Sequence, residues 1–278
     1  MAANVLTNTK ADLIAALVQR ELLERASLVP FVTNYSSLAV KGAKQIEIPK
    51  LSSFTVQSRA FGAAATENAA LTDSTDVIAL NQNNIVLFGY DSHDEMQSSI
   101  DYMTAAISRA SAAHGREINS DILATWTSTA ALNINAGVPA DITIDDILDM
   151  REFLIAGFAD MTKSYLVIAA DQEKAMLKLP EFSRYDYRGN GASPIVNGQI
   201  GFVYGVPVVI NQQVAAQQAF MVNTEGSGIA FQKAPMVAED TALQYGTGGR
   251  QVAVDVLYGV GGLQLSGGAS PLIAKLKN

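Results

Sequence analysis

Two histidines, His93 and His114, are the only imidazoles in the chain, and there is no cysteine. Most of the chemistry that side chains perform unaided is thereby removed. No His-x-x-x-His pair and no Cys cluster can hold zinc, and thiolate catalysis and disulfides are excluded. A Ser-His-Asp relay would have to recruit one of two histidines in a helix-patterned region, where a surface or helix-end place is the simpler reading. Neither the Gly-x-Ser-x-Gly elbow nor the Gly-x-x-x-x-Gly-Lys-Ser/Thr loop occurs.

Two acidic clusters remain, Asp91 with Asp94 and Glu95, and Asp145 with Asp146 and Asp149. Carboxylates so close together could hold Mg²⁺ or Ca²⁺. Both clusters stand where a helix is expected to begin, however, and there a carboxylate serves the positive end of the helix dipole. The runs Gly246-Thr-Gly-Gly249 and Gly259-Val-Gly-Gly262 could cradle a phosphate, but neither has a strand-loop-helix context or a lysine, so both read as turns or a bulge. No catalytic, cofactor-binding or metal-binding residue is assigned, no cofactor is expected, and the chain does not read as an enzyme.

The elements around these residues describe a foldable protein. With 278 residues, 49% of them hydrophobic, the chain can bury a large core in one domain or two. Its 27 acidic against 19 basic residues give a net charge of −8, which repels phosphate polyanions and argues against nucleic-acid contact as its main task. Nothing at the N-terminus reads as a secretory signal, and no apolar run reaches the roughly 18 to 20 residues that a bilayer needs, so a soluble protein without membrane contact is expected.

Thr9, with Asp12 three residues on, opens an amphipathic pattern through Leu13, Ile14, Leu17, Val18 and Leu22 that should end before Pro30. An extended segment leads to an alternating strand at Gln45–Pro49. Residues 51–84 then read as a long two-stranded projection whose Ala-rich tip, Phe61–Thr66, has little to bury. Such a hairpin is marginal alone, so a neighbour should cover it. Ile85–Phe88 reads as a strand, and from Asp94 a helix marked by Met96, Ile100, Met103, Ile107 and Ala110 continues past Gly115 to Trp126, with Gly115 as the place for a bend.

Asn133–Pro139 is turn-rich and reads as the boundary between two lobes. Thr143 with Asp146 resembles a capping box, followed by a helix face of Ile147, Met150, Leu154, Ile155 and Phe158. Ser164–Ala170 reads as a buried strand, Asp171 as the cap of a helix through Leu179, and Pro180 as its stop. Phe182–Pro194 is an exposed loop. Ile195–Ile210, punctuated by Gly198, Gly201 and Gly205, reads as a tightly turned pair of strands, and Ala219–Val222 and Gln251–Tyr258 as further strands. No internal repeat is present.

This order resembles the major capsid protein of tailed bacteriophages, the Hong Kong 97-type shell fold, over nearly the whole chain. The most specific stretch is Gly198-Gln-Ile-Gly201 with Gly205-Val-Pro-Val208, similar to that family's strand pair. Asp94–Trp126 is similar to its long spine helix with the trailing Glu117–Leu123 segment, and Tyr258-Gly-Val260 to its late strand. The resemblance implies an α+β fold with an N-terminal arm (1–44), an extended β-hairpin loop (45–84), a peripheral domain (85–136 and 236–278) and an axial domain (137–235). It implies a homo-oligomer of pentamers and hexamers forming an icosahedral shell in the virion, assembled in the host cytoplasm around double-stranded DNA held without sequence-specific contacts. A separate scaffolding protein, a portal and decoration proteins are its implied partners.

Some members of that family join the extended loop to a neighbour through a Lys-Asn isopeptide bond. No lysine occurs here between Lys50 and Lys163, so no such mesh is expected. Two other readings are kept: an encapsulin-like compartment packaging protein cargo, which packaged DNA would distinguish, and a soluble metal-dependent hydrolase on one of the acidic clusters, which a monomer or small oligomer would favour.

Overall fold

The computed structural model describes residues 28–51, 56, 58–64, 73–91, 102–135, 141–179, 201–241, 249–264 and 272–276. The N-terminal helix pattern from Thr9, the cluster residues Asp94 and Glu95, His93, Gly198 and the Phe182–Pro194 loop lie outside them.

Among the described residues the secondary structure is mixed α and β. Short β1 (Thr33–Asn34) is followed by the hairpin strands β2 (Gln45–Leu51) and β3 (Asp73–Ala79) and by β4 (Gln82–Tyr90). Helix α1 (Tyr102–Thr129) leads into β5 (Leu132–Ile134), α2 (Ile144–Ala156), β6 (Ser164–Ile168) and α3 (Ala170–Lys178). Then come β7 (Phe202–Val203), β8 (Val206–Ile210), β9 (Ala219–Asn223), the long antiparallel pair β10 (Ser227–Thr241) and β11 (Arg250–Gly262), and β12 (Ile273–Leu276). No helix among them is long and apolar enough to cross a membrane.

Among the described residues three sheets form, with orders β1-β10-β11-β4, β5-β12-β9-β6-β8-β7, and β2-β3. The pleat of the six-stranded sheet sorts its side chains into two cores. Leu166, Ile168, Met221 and Ala274 point to one face, where α2 (Ile147, Met150, Leu154) and α3 (Ala175, Met176) cover them. Val167, Phe220, Val222 and Ile273 point to the other, where α1 lies with Ile118, Ile122 and Trp126 and meets Ile229, Val256 and Tyr258 of the four-stranded sheet. Helix α1 is thus the member that binds the two large sheets together, and it runs uninterrupted through Gly115.

Several elements depart from the sequence reading. Asn133 and Ile134 are strand residues, paired in parallel with Lys275 and Leu276, rather than part of a turn. Strand β10 was not anticipated, because register shifts at 231–233 and 233–236 break its alternation. Ile155 and Phe158 do not join the buried face of α2: they are 49% and 92% exposed. The Asp171 carboxylate does not cap α3, whose N-cap is Ala169 without a side-chain hydrogen bond, but accepts from the Gln217 N–H at 2.7 Å. Gly259–Gly262 are neither turn nor bulge but the regular end of β11.

Candidate assembly surfaces

Two of the residues that could have done chemistry, His114 and Asp146, are occupied structurally. His114 is buried in the middle of α1 instead of at a surface or helix end, and its Nε2 bonds to the Val254 carbonyl at 2.9 Å. That bond ties the helix to β11. Asp146 completes a capping box: its backbone N–H donates to Thr143 Oγ1 at 3.2 Å, and its Oδ2 accepts from the Thr143 N–H at 2.9 Å. Its other oxygen accepts from Asn135 Nδ2 at 3.3 Å, so of Asp145, Asp146 and Asp149 the central carboxylate is already committed. Among the described residues no group of three or more candidate ligands is placed to hold a metal ion. Asp91 follows the end of β4, and its partners in the proposed cluster are outside the described residues.

What the structure builds with most care is the base of the β2–β3 hairpin. Ile46 and Ile78 face each other across it and are buried with Leu80, Ala230 and Leu263. The hairpin lies so close to β11 that a Cβ on Gly259 would come 2.1 Å from the Ala79 carbonyl oxygen, and one on Gly261 would come 3.0 Å from Ile78 Cγ1. The glycine run therefore serves close backbone approach. Lys50 Nζ reaches Asp76 Oδ1 at 2.6 Å and Gln264 Oε1 at 3.1 Å, while the Gln264 N–H donates to Asp76 Oδ2 at 2.7 Å. Both charged side chains are only 13% exposed, so the pair clamps the hairpin to the chain just past β11. Farther out, Val56 and Phe61 are fully exposed.

A second network holds the sheet on α1. Tyr258 Oη donates to Asp121 Oδ2 at 2.5 Å and accepts from Asn84 Nδ2 at 3.2 Å. Burial and the neighbouring Asp121 carboxylate push this phenol well above the ordinary tyrosine value. Trp126, wholly buried, donates from Nε1 to Ser227 Oγ at 2.9 Å. Lys233 pairs with Asp255 across the irregular part of β10 and β11.

Two exposed apolar groups lie at the β7–β8 border of the six-stranded sheet and at the end of α2, which covers one face of that sheet. At one, β7 and β8 join through Tyr204-Gly205, with φ of 48° and 81°, as a two-residue type I′ turn requires, and Phe202, Tyr204 and Ile210 are exposed. At the other, the end of α2 is closed by paired bonds from the Ala159 N–H to the Leu154 carbonyl and from the Phe158 N–H to the Ile155 carbonyl, with Phe158 at φ 60°. Helix ends of this kind favour glycine at that position, and a side chain there costs roughly 1–2 kcal/mol. Gly157, one residue earlier, lets Leu272 pack close: a Cβ there would lie 2.5 Å from Leu272 Cδ2, which would have to shift.

Comparison with known proteins fits an architecture with structural residues in place of a catalytic centre. Residues 32–252 match the family described as phage capsid protein. The chain belongs to the phage capsid protein family. It is accordingly a structural component of the virion capsid and not an enzyme. Solved structures agree on the fold. A Mycobacterium phage Che8 structure superposes with a TM-score of 0.70 at 17% identity, over 88% of this chain and 89% of that one. The capsid asymmetric unit of cyanophage Pam1 gives 0.68 at 11%, covering 99% and 98%, and the mature capsid of bacteriophage PhiM1 gives 0.66 at 14%, covering 88% and 85%. No curated protein sequence matches the chain. The exposed apolar groups of this capsid protein were not visible in the sequence, since nothing in it distinguishes exposed Phe158 from buried Leu154; the Tyr204-Gly205 turn between β-branched strands was the one local signal.

Proposed function

We propose that this capsid protein is the major shell subunit of a tailed bacteriophage, assembling through pentamers and hexamers into an icosahedral shell that encloses double-stranded DNA. The observation that carries the reading is the β2–β3 hairpin. Its base is locked onto β11, but its far part ends in exposed Val56 and Phe61, and a two-stranded hairpin gains too little burial to stand alone in water. A neighbouring copy supplies the missing cover.

In this reading residues 1–44 form the arm, 45–84 the extended loop, 85–136 with 236–278 the peripheral domain, and 137–235 the axial domain. The pairing of two short strands supports counting them with the axial sheet instead. Strands β5 (132–134) and β12 (273–276) pair with each other, and β12 pairs with β9, which pairs with β6. The net charge of −8 suits a wall that encloses DNA without sequence-specific contact. A separate scaffolding protein guides the size of the shell, a portal occupies one vertex, and decoration proteins bind outside.

The test is the content of native particles. Particles treated with nuclease and then opened should release double-stranded DNA of uniform length. Particles filled with protein cargo and free of DNA would favour the encapsulin-like compartment instead.

A further inference from the structure

Two exposed surfaces of opposite charge stand on this subunit, and among the described residues neither finds its counter-charge. The first is the turn that precedes β2. There the Ala43 N–H donates to the Val40 carbonyl at 3.1 Å, and Gly42 sits at φ 93°. Gln232 Nε2 of β10 donates to the carbonyls of Val40 and Ala43 at 2.8 and 2.9 Å. The turn is thus fixed in place, yet Leu38 and Val40 are 54% and 64% exposed, with Lys41 and Lys44 exposed beside them. No acidic residue occurs from Leu28 to Ile46.

The second is the outer flank of α2. Asp145, Asp149 and Glu152, spaced i, i+4, i+7, form an exposed acidic line, and next to it runs an apolar line of Leu148 and Ile155 that ends at Phe158. Asp149 and Glu152 lie beyond the first turn, where the helix dipole no longer accounts for a carboxylate. Arg151, partly buried, is the only cation of the helix. Among the described residues, none of these three carboxylates and neither lysine of the turn has an ion-pair partner.

The two surfaces cannot meet within one subunit. The turn is held by β10 of the four-stranded sheet, which lies with α1 on one side of the six-stranded sheet, whereas α2 covers the opposite face. Nor does like suit like: α2 against α2 would set carboxylates against carboxylates, and turn against turn would set lysines against lysines. Turn against helix is matched twice over, since lysines meet carboxylates while Leu38 and Val40 cover Leu148, Ile155 and Phe158. Such a contact is head-to-tail and can close into a ring.

We propose that the Val40–Ala43 turn of one copy of this chain docks on the α2 flank of the next, with Lys41 and Lys44 on the line of Asp145, Asp149 and Glu152. This rests on the shell-subunit reading above and adds a charged contact that sets neighbouring copies in register.

A charge exchange tests it. With the scaffold present, Lys41→Glu with Lys44→Glu, and separately Asp149→Lys with Glu152→Lys, should each lower the yield of sedimenting particles roughly tenfold or more. All these changes in one chain should restore the yield. Thermal melts of the unassembled subunit should barely move, because these side chains are exposed. Full assembly of either charge-reversed variant, or no recovery when both pairs are exchanged, overturns the contact and leaves the capsid reading intact. If a charge-reversed subunit does not fold, a cross-link decides, since the chain has no cysteine of its own. Particles of Lys41→Cys with Glu152→Cys, treated with a bismaleimide, should run as a ladder on a denaturing gel, and neither single variant should. A lone monomer band from the double variant overturns the contact, and dimers from a single variant overturn it in favour of like meeting like. Failure of the unmodified chain to assemble, with its scaffold present, removes the shell-subunit reading and this inference with it.

Discussion

Gly259 faces Ala79 with no room for a side chain between them: a Cβ on the glycine would lie 2.1 Å from the Ala79 carbonyl oxygen and 2.8 Å from its carbonyl carbon. This contact sets how closely the extended hairpin lies on β11, and so fixes the direction in which it projects. Backbone atoms cannot move aside as a flexible side chain would. Gly259→Ala should therefore cost about 3 kcal/mol, at the upper end of ordinary overpacking. Gly261→Ala, whose nearest neighbour is the Ile78 side chain at 3.0 Å, should cost less. Urea denaturation of the soluble subunit measures both, and equal midpoints for the two variants would show that the hairpin is free to shift.

The joint between the two large sheets can be probed at Trp126. Its indole N–H donates to Ser227 Oγ in a fully buried site, so Trp126→Phe loses that bond and leaves the hydroxyl without its partner, for a loss of about 2 kcal/mol or more. Ser227→Ala should cost less. In a double-mutant cycle the two losses should be less than additive, because the bond they share can be lost only once. Strict additivity would mean that the hydrogen bond contributes nothing to stability.

Tyr258 predicts the alkaline behaviour of the fold. Its phenol is raised above the ordinary 10.0 by burial first and by Asp121 second, and Tyr35 is raised by burial and by Glu225 and Asp76. The unfolded chain therefore loses these protons at lower pH than the folded one. Their contribution is fully present below about pH 10 and is lost as pH rises above it toward the folded values. Urea midpoints measured from about pH 8 to about pH 11 should be flat and then fall, and Tyr258→Phe, less stable at neutral pH, should show a shallower fall. An identical slope in the variant would contradict the assignment.

Lys50 is the only lysine of residues 45–84 and is held by Asp76 and Gln264. An amine so held is poorly placed to attack a neighbour's asparagine. Assembled particles boiled in detergent should run as a single monomer band. A ladder of linked subunits would show that a covalent mesh forms by another route.

Much of the local structure was legible in the sequence because local physics produces it. The Thr143–Asp146 capping box, the strand at 45–49, the strand from Ser164 and the turn at Gly205 follow from residue type and period alone. Missed features depend on partners distant in the chain. Strand β10 hides its alternation behind two register shifts, and β12 is four residues whose pairing with β9 and β5 only the fold provides. The glycines at 259–262 looked like turns because close approach and turning call for the same residue. His114 looked like a surface residue because nothing local reveals the Val254 carbonyl that holds it. The exposed apolar groups were the least legible, since α2 carries apolar residues on its buried face and on its exposed flank alike.

The central claim is that this subunit closes shells. Electron micrographs of the purified chain, expressed together with the scaffolding protein of the same phage, test it most directly. The account predicts closed icosahedral particles of uniform diameter with fivefold and sixfold rings of subunits. Fields containing only monomers or small oligomers, with the hairpin intact and the scaffold present, would contradict it.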